Sequence, residues 1–483
     1  MDRATQKSLG AYYTPDDIVR SLVCWAVRHD RDRLLDPSCG DGRFIRIHPN
    51  SVGVEQDLEA AKIIHETVPG SLIHQGDFFA WANETHERFE CAVGNPPFIR
   101  YQRFSGHVRE AALRLCARHG VKMSSLMSSW APFLIATATL LKSGGRMSFV
   151  VPAEIGHAPY ARPVLQFFVS RFAKVQVIAI RKKLFPELSE NCWLLFLDGY
   201  GSSCEAVQFT ELETFRFSET PPRKSNAITL SELHRWGWRL RPFLMSSEAR
   251  DAYAEFRDGD DVIRLGDIAS VGIGYVTGDN EFFHLKPSMA DKLGIPTSVL
   301  LPTVRNGRAL RGGSITKKMV QKWMQDDEPI YLLHLNTGKP VPSSVMRYLD
   351  TPRGREARQT YKCRNRDPWY VVPDVSIPDA FLSYMSGETP TLALNLAGCA
   401  GTNSVHVVSF RPGVSARKAQ DLWSSPLTEL SCEIEGHPLG GGMLKLEPRE
   451  ASQLLISKRS RPDVTWRPVV EGLQSLRQWR LDG

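Results

Sequence analysis

The sequence predicts a Rossmann-like α/β domain followed by a loop-rich α+β domain. Between residues 34 and 209, short β-rich runs alternate with longer amphipathic stretches, as in a parallel sheet with helical crossovers. The polar, proline-rich segment 218–226 interrupts this rhythm, and beyond it short apolar runs are separated by Gly, Pro and Asn turns. A chain of 483 residues is long enough for two cores. The predicted divisions are a first domain at 1–217, a linker at 218–230 and a second domain at 231–483.

The elements of the first domain follow from apolar periodicity. The predicted strands are 33–36, 51–55, 71–74, 91–94, 146–151, 175–180 and 192–197. The predicted helices, which we expect on both faces of the sheet, are 15–28, 58–67, 124–141 and 160–171. The apolar run 130–141 is far shorter than the roughly 20 residues that a bilayer requires, so we interpret it as a buried helix and expect no membrane span.

Composition narrows the functional class. The chain is 42% hydrophobic and 23% charged and begins with a polar segment, so we expect a globular, cytoplasmic protein. Nine cysteines without a CxxC pair, together with scattered histidines, argue against a disulfide framework and a metal site. The net charge of +7 is compatible with a polyanionic partner but does not identify one.

A glycine-rich turn, DPSCGDGRF at 36–44, follows the first predicted strand and precedes a possible helix. Gly40 and Gly42 would let the backbone approach a ligand at the carboxyl end of a strand, where open α/β sheets bind nucleotides. A tight structural turn accounts for a lone Gly-x-Gly pattern equally well. The turn alone therefore does not identify a ligand.

Acidic residues end three successive predicted strands: Asp36, Glu55 and Asp77. Glu55 can accept from the hydroxyls of a ribose, and Asp77 is placed to accept from an adenine amino group. The dinucleotide fingerprint requires a third glycine, where this chain has Phe44 after Gly42, and a more distant acid. A nucleoside without phosphates, such as S-adenosylmethionine, fits this turn better than a nicotinamide cofactor.

The segment VGNPPFIRY, 93–101, follows the fourth predicted strand. Pro96 and Pro97 fix the backbone and remove two N–H donors, which leaves acceptors beyond the sheet. The Asn95 side-chain oxygen and the Pro96 carbonyl can each accept a hydrogen from an exocyclic amine, and Phe98 can stack on the ring that carries it. Acceptors of this kind favour a pyramidal nitrogen that can attack a methyl sulfonium.

Five motifs occur in the order found in the γ-class amino-methyltransferases, the TaqI-type DNA adenine methylases, which residues 12–199 resemble. The motifs are GAYYTP at 10–15, DPSCGDGRF, GVEQD, GDFF and NPPF. The resemblance implies a class I methyltransferase sheet, S-adenosylmethionine as cofactor and methylation of adenine N6 in duplex DNA. The implied cofactor-binding residues are Tyr13, Thr14, Pro15, Asp36, Pro37, Ser38, Gly40, Gly42, Phe44, Glu55, Asp77, Phe78, Phe79 and Asn95. The implied catalytic residues are Asn95, Pro96, Pro97 and Phe98.

The resemblance also implies how the cofactor and the base are held. Tyr13, Thr14 and Pro15 would border the methionine part of the cofactor, and Phe79 would pack against its adenine ring. An adenine inside a duplex is inaccessible, so the enzyme must extrude it at a cost of a few kcal/mol. Phe98 and Phe185, the latter in a Phe-Pro pair, would stack on the extruded base and offset most of that cost, at about 1–3 kcal/mol per base.

The second half resembles the target-recognition domains of γ-class methylases and of fused restriction-modification enzymes. The segments that carry this resemblance are IASVGIGYVTGDNEFF, RNRDPWYVVP, TNSVHVV and LGGGMLKLEP. Expected DNA contacts are Arg305, Arg308, Arg311, Arg364 and Arg366, with Lys458, Arg459 and Arg461 placed to contact phosphates. Because the motifs begin at residue 10, we expect a stand-alone modification enzyme acting on double-stranded DNA beside a separate restriction endonuclease.

Other functions share part of this pattern. The NPPF tetrapeptide also occurs in ribosomal-RNA adenine methylases and, as NPPY, in enzymes that methylate a glutamine of release factors. Methylation of cytosine N4 usually has Ser at position 95, and methylation of cytosine C5 needs a Pro-Cys dipeptide that this chain lacks. A catalytically silent, sequence-specific DNA-binding protein would have lost the cofactor residues that are present here.

Overall fold

The computed structural model describes residues 14–68, 70–186, 188, 190–458 and 466–482. The chain forms two compact units, Met1–Leu244 with Asp482–Gly483, and Met245–Leu481. This division lies beyond the predicted boundary at 217 and the predicted linker 218–230. The reason is the strand Asn226–Thr229, which pairs antiparallel with Ala206–Leu212 and so adds part of the predicted linker to the first sheet.

The first unit contains a nine-stranded sheet, numbered here in chain order. Its strands are β1 Leu34–Asp36, β2 Ser51–Glu55, β3 Leu72–Gln75, β4 Phe89–Gly94, β5 Leu141–Pro152, β6 Phe172–Ile180, β7 Cys192–Tyr200, β8 Ala206–Leu212 and β9 Asn226–Thr229. Their spatial order is β3-β2-β1-β4-β5-β7-β6-β8-β9. Strands β1 to β5 are parallel, whereas β7 is antiparallel to both β5 and β6. The carboxyl ends of β1 to β5 therefore lie at one edge, which we call the carboxyl edge.

The described residues of the first unit form seven α-helices beside this sheet, and the predicted Rossmann-like fold is confirmed. They are α1 Asp16–Ala26, α2 Leu58–Thr67, α3 Phe78–Glu84, α4 Gly106–Arg118, α5 Trp130–Thr139, α6 Ala161–Arg171 and α7 Leu230–Arg235. Helices α1 and α2 bury apolar side chains such as Leu22 and Ile64 in one core cluster with strand residues. Helices α3 and α5 meet through Phe78, Phe79 and Phe133, whose rings lie 4.7 and 4.9 Å apart.

Three predictions of local structure differ from the fold. No helix follows the glycine turn: residues 40–47 form successive turns, because Gly40 and Gly42 adopt φ values of +53° and +77°. The helix predicted at 124–141 is confined to Trp130–Thr139, since β5 begins at Leu141. Helices α3 and α4 were not predicted. Both sequences are short or weakly apolar, and they lie next to the GDFF and NPPF motifs.

The second unit is an α+β arrangement of small sheets. Its strands are β10 Val262–Arg264, β11 Ala269–Ile273, β12 His284–Leu285, β13 Leu300–Val304, β14 Ser314–Ile315, β15 Tyr331–Leu333, β16 Ala380–Ser383, β17 Met385–Ser386, β18 Leu392–Asn395, β19 Ala400–Gly401, β20 Val405–Phe410, β21 His437–Leu439, β22 Met443–Lys445 and β23 Leu455–Ser457. They form sheets β10-β23, β11-β20-β16-β18-β14, β12-β15-β13-β19 and β17-β22-β21. The expected change of character after the first unit is confirmed.

Twelve α-helices lie in the residues of the second unit that the structure describes. They are α8 Ser247–Asp258, α9 Leu265–Ile268, α10 Asn280–Phe283, α11 Pro287–Leu293, α12 Lys317–Gln325, α13 Ser343–Leu349, α14 Pro352–Gln359, α15 Tyr361–Arg364, α16 Ala416–Trp423, α17 Pro426–Glu435, α18 Pro448–Ser452 and α19 Arg467–Leu481. No helix in the described ranges of either unit combines the length and apolar character needed to cross a bilayer.

Candidate active site at the carboxyl edge of the first sheet

The glycine turn is built around Glu55 at the end of β2. The Glu55 carboxylate accepts from Gly40 N at 2.8 Å through one oxygen and from Asp57 N at 2.8 Å through the other. A Cβ placed at Gly40 would have no atom within 4 Å, so the backbone there faces open space. A carboxylate oxygen can accept more than one hydrogen bond, so Glu55 can still receive hydroxyl donors from a ligand.

Asp36, at the end of β1, is completely buried. Its Oδ1 accepts from Ser38 N at 3.1 Å, while its Oδ2 has no hydrogen-bond partner among the residues that the structure describes. Burial, with smaller contributions from Glu55 and Asp41, raises the pKa of Asp36 to about 8. A buried carboxyl with an unused acceptor is costly unless a ligand supplies a donor or a positive charge.

The third acid, Asp77, caps helix α3, with Oδ1 accepting from Ala80 N at 2.8 Å. The next two residues point inward: Phe78 is 3% exposed and Phe79 is 1% exposed, both packed on the ring of Phe133. The ring of Phe79 is therefore covered in part by Phe133, and its contact with a cofactor stays a prediction. Phe44 and Pro37 are likewise buried, Phe44 within the core cluster under α1 and α2.

Thr14 connects the amino-terminal motif to the NPPF motif. Asn95 Nδ2 donates to Thr14 Oγ1 at 3.2 Å, and Arg43 Nη1 donates to the Thr14 carbonyl. Arg43 is held in turn by Asp41, with Nη2 and Oδ2 2.7 Å apart. Ser38 Oγ donates to the Asn95 carbonyl at 3.4 Å. The glycine turn and Asn95 therefore share one hydrogen-bonded site, as the sequence predicts.

The other two residues predicted at the amino-terminal motif are Pro15 and Tyr13. Pro15 is the exposed cap of α1, and Tyr13 lies outside the described residues.

The turn that follows Asn95 is held by Ser129, which sequence analysis missed. Ser129 Oγ donates to the Pro97 carbonyl and accepts from Ile99 N at 2.9 Å, while Ser129 N donates to Ile99 O at 2.9 Å. Ser129 is 1% exposed and immediately precedes helix α5. A serine before a helix is normally expected to cap that helix. Here its hydroxyl serves a turn about 30 residues away, so no local pattern could reveal it.

Phe98 and Phe185 contribute to the same hydrophobic cluster. Phe185 is 6% exposed, and the half-buried Phe98 packs against the cluster that contains it. The two predicted stacking residues therefore border one hydrophobic cluster, although 86 positions of sequence separate them. Phe185 is covered more fully than Phe98, so stacking on a base would require the Phe185 ring to become more exposed.

A second polar group at the carboxyl edge was also missed by sequence analysis. Glu154, just after β5, accepts from Trp130 Nε1 at 3.3 Å and from the Tyr160 hydroxyl, which lies 3.1 Å from Ser128 Oγ. Burial raises the pKa of Glu154, opposed by the hydrogen bond from Tyr160. This group ties the end of β5 to the start of α5, where Ser129 holds the Pro-Pro-Phe turn.

The predicted DNA-contacting arginines of the second unit differ in their environments. Arg308, Arg311 and Arg364 are exposed, and Arg305 is half-buried. Arg366 instead donates to the carbonyls of Val276 and Thr277, both at 2.6 Å, so part of its hydrogen-bonding capacity is used within the unit. Lys458 is described, whereas Arg459 and Arg461 lie outside the described residues.

Within the described ranges, no His, Cys, Asp or Glu side chains form a group of three or more that could hold a metal ion.

Two family models match this chain. Residues 54–185 match the Eco57I restriction-modification methylase family, and residues 239–478 match the C-terminal domain of the Type II methyltransferase M.Eco57I. The first match begins within β2 and contains β3 to β6 and the NPPF motif, and the second covers almost the whole second unit. The order of the two matches is the order of the two units.

Whole-length similarity extends to individual proteins. Type II methyltransferase M.XamI of Xanthomonas campestris pv. amaranthicola is 24% identical over 92% of this chain and 85% of its own length. Type II methyltransferase M.AccI of Acinetobacter calcoaceticus is 19% identical over 93% and 85%. The Type IIL restriction-modification enzyme MmeI, solved in complex with DNA, has the same fold over 94% of this chain and 69% of its own, with a TM-score of 0.57 and 13% identity.

Proposed function

We propose that this chain, a γ-class-like DNA methyltransferase of the restriction-modification type, transfers a methyl group from S-adenosylmethionine to N6 of an adenine in duplex DNA. The observation that carries this proposal is the position of Asn95 between both cofactor motifs: its side chain donates to Thr14 of the amino-terminal motif, and its carbonyl accepts from Ser38 of the glycine turn. An acceptor for a reacting amine and a nucleoside site are useful together only if they are adjacent.

The residues around the glycine turn suit S-adenosylmethionine. Gly40 leaves open space for a ligand, and Glu55 has acceptor capacity for a ribose diol. Asp36 offers a buried, unpartnered Oδ2 that a cationic or hydrogen-bond-donating group would satisfy. Pro37, Ser38, Gly42, Asp77 and Thr14 complete the proposed surroundings. When bound, the cofactor supplies an electrophilic methyl group on a positively charged sulfur.

The residues of the NPPF motif suit the acceptor amine. The Asn95 side-chain oxygen and the Pro96 carbonyl would accept the two N6 hydrogens and concentrate the nitrogen lone pair toward the methyl group. As the new N–C bond forms, the nitrogen loses one proton, which we propose passes to water. Ser129 and the Pro-Pro pair keep the acceptors fixed, so little reorganisation is needed during the reaction.

Access to the base requires extrusion from the duplex, and we propose that Phe98 and Phe185 receive it. Both rings contact one hydrophobic cluster. Each ring would lose some of its contacts with that cluster and gain stacking contacts with the base. The proposed role of the second unit is target recognition, with double-stranded DNA as its partner; the DNA complex of MmeI supports this role. A separate restriction endonuclease is the proposed biological counterpart.

The test is methylation of unmodified genomic DNA by the purified protein with tritium-labelled cofactor, followed by digestion to nucleosides. We expect radioactivity in N6-methyl-2′-deoxyadenosine and a single sequence context on sequencing. Label in N4-methyl-2′-deoxycytidine would replace the proposed base, and label found only in a parallel reaction with RNA would replace the proposed substrate. DNA binding without any label would indicate a catalytically silent protein. Asn95→Ala, in parallel, should remove the label while leaving cofactor binding measurable.

A further inference from the structure

Three consecutive helices of the second unit, α13 to α15, carry a dense run of cations between residues 343 and 366. Their apolar side chains, including Val345, Ala357 and Cys363, are buried in one core cluster. Two of the arginines also point inward. Arg353 makes two hydrogen bonds to Asp279, both 2.7 Å, and Arg366 donates to the carbonyls before Gly278. These contacts attach the helical segment to the loop after β11.

The other cations of this segment point into solvent and form what we call the basic face. Its members are Arg347, Arg355, Arg358, Lys362 and Arg364, all exposed. Arg355 reaches the Asp350 carbonyl at 2.9 Å, a contact that leaves its charge uncompensated. Across the part of the chain that the structure describes, none of the five forms an ion pair.

This lack of pairing contrasts with two arginines of the first unit. Arg43 is paired with Asp41 and Arg146 with Asp198, each through short contacts. Only two acids, Asp350 and Glu356, lie among the five cations, and Glu356 is 3.9 Å from the inward Arg353. Like charges on adjacent turns repel one another, so such a surface is best satisfied by an anionic partner.

An exposed aromatic residue lies within the basic face. Tyr361 is 68% exposed, and the guanidinium of Arg364 lies 5.4 Å from the centre of its ring. The stacking limits the directions that Arg364 can take, and the Tyr361 hydroxyl adds a neutral hydrogen-bond donor. Arginine, lysine and tyrosine are the donors that proteins direct at nucleic-acid phosphates.

We infer that the basic face binds the backbone phosphates of the duplex that the enzyme methylates. This inference rests on the proposed function for its ligand. Duplex DNA carries one negative charge per about 1.7 Å of its axis, so several exposed, unpaired cations within one short segment can contact more than one phosphate. Phosphate contacts position the protein on DNA without reading bases. The basic face therefore sets affinity and salt dependence, and leaves the choice of sequence to other residues.

The test uses the full chain with two charge-reversed double variants, Arg347→Glu/Arg358→Glu and Arg355→Glu/Lys362→Glu. The matched control is Arg88→Glu/Lys174→Glu, which makes the same change of charge at exposed positions near the amino ends of β4 and β6. Affinity for a 30-base-pair duplex bearing the target site is measured by fluorescence anisotropy between 50 and 250 mM KCl. Methylation of the same duplex is measured at saturating DNA.

We expect each double variant to reduce the slope of log affinity against log salt by about two units, since each phosphate contact contributes about 0.9. Affinity at 150 mM KCl should fall at least 10-fold, with an unchanged methylated sequence and near-normal turnover at saturation. The control should keep the wild-type slope. Wild-type slopes in both double variants, or an equal loss in the control, would overturn the inference. Absence of methylation by the wild-type protein would instead contradict the proposed function, and is scored separately from the binding slopes.

Discussion

The carboxyl edge of the first unit and the basic face of the second hold their polar groups in opposite ways. At the carboxyl edge, Asp36 is fully buried and Ser129 is 1% exposed, and both are fixed by named main-chain partners. On the basic face, Arg358 and Lys362 are exposed and unpaired within the described residues. Chemistry at a reacting atom requires positions fixed in advance, whereas binding a flexible polyanion requires charge at its surface.

The comparison predicts different costs for the two regions. A buried group without a partner lowers the free energy of unfolding of the unliganded protein, so functional groups at the carboxyl edge should reduce stability. The cations of the basic face should not reduce it, because their charges remain hydrated. Substitutions can test this distinction, beginning with the group expected to have the largest effect.

Asp36→Asn should stabilise the unliganded protein while weakening cofactor binding. The pKa of Asp36 is about 8 in the folded state, against 3.8 for an ordinary aspartate. The unfolded chain therefore releases this proton at lower pH, so the destabilisation appears above about pH 4 and is complete above about pH 8. It should grow by about 1.4 kcal/mol per pH unit, to about 6 kcal/mol. Denaturant unfolding of both proteins from pH 5 to 8.5 measures the difference, and parallel stability curves would show that Asp36 carries no such penalty.

Asn95→Ala should have the next largest effect, on turnover rather than stability. It removes an acceptor that is used chiefly by the reacting amine, and loss of one such preorganised group typically lowers the rate about 10²- to 10³-fold. Cofactor affinity should change little, because Gly40 and Glu55 keep their geometry. Single-turnover methylation measures the rate of methyl transfer, and calorimetry measures the affinity for the cofactor, so the two effects are separated. The control is Asn226→Ala on the exposed edge of β9. Parallel losses of turnover and cofactor affinity would assign Asn95 to cofactor binding instead.

Ser129→Ala should lower turnover about 10-fold by releasing the Pro-Pro-Phe turn. It removes both hydrogen bonds of the hydroxyl and leaves Ile99 N–H without its partner, at a cost of about 1–3 kcal/mol. Ser129→Thr retains the hydroxyl and should recover much of the activity. A 2-aminopurine at the target position reports whether extrusion or the later chemical step is affected. If Thr and Ala reduce turnover equally, the effect comes from packing of α5 and not from the hydrogen bonds.

The motifs at the carboxyl edge were predictable because each occupies consecutive residues at a strand end. The glycine turn, Glu55 and Asn95 meet as expected, since parallel strands align their carboxyl ends. Ser129 and Glu154 were not predictable in the same way. Each acts on a segment 30 or 24 residues distant, and neither belongs to a motif. Phe79 was assigned to the cofactor by analogy, but tertiary packing on Phe133 covers its ring.

In the second unit, the sequence predicts an arginine-rich segment, but it does not predict which of its arginines are exposed. Arg364 and Arg366 are two positions apart, yet one is exposed over Tyr361 and the other is directed at main-chain carbonyls. Arg364 is the last residue of the four-residue helix α15 and Arg366 lies beyond its C-cap, so no helical periodicity in the sequence could distinguish them. The same limitation hid the five-cation face, because its members come from three helices whose relative rotation is set by the buried side chains between them.

The smallest predicted effects separate neighbouring arginines within this one segment. Arg358→Ala should leave the free energy of unfolding within about 0.5 kcal/mol of wild type, because its charge is exposed, and should lower the salt slope for DNA by about one unit. Arg353→Ala should do the reverse: it breaks the two-bond contact with Asp279 and should cost about 1 kcal/mol of stability, with little change in slope. Denaturant unfolding and salt-dependent anisotropy on both variants measure the two quantities. If Arg353→Ala changed the slope as much as Arg358→Ala, the distinction between anchoring and phosphate-binding arginines would fail, and the helical segment would act through its overall charge alone.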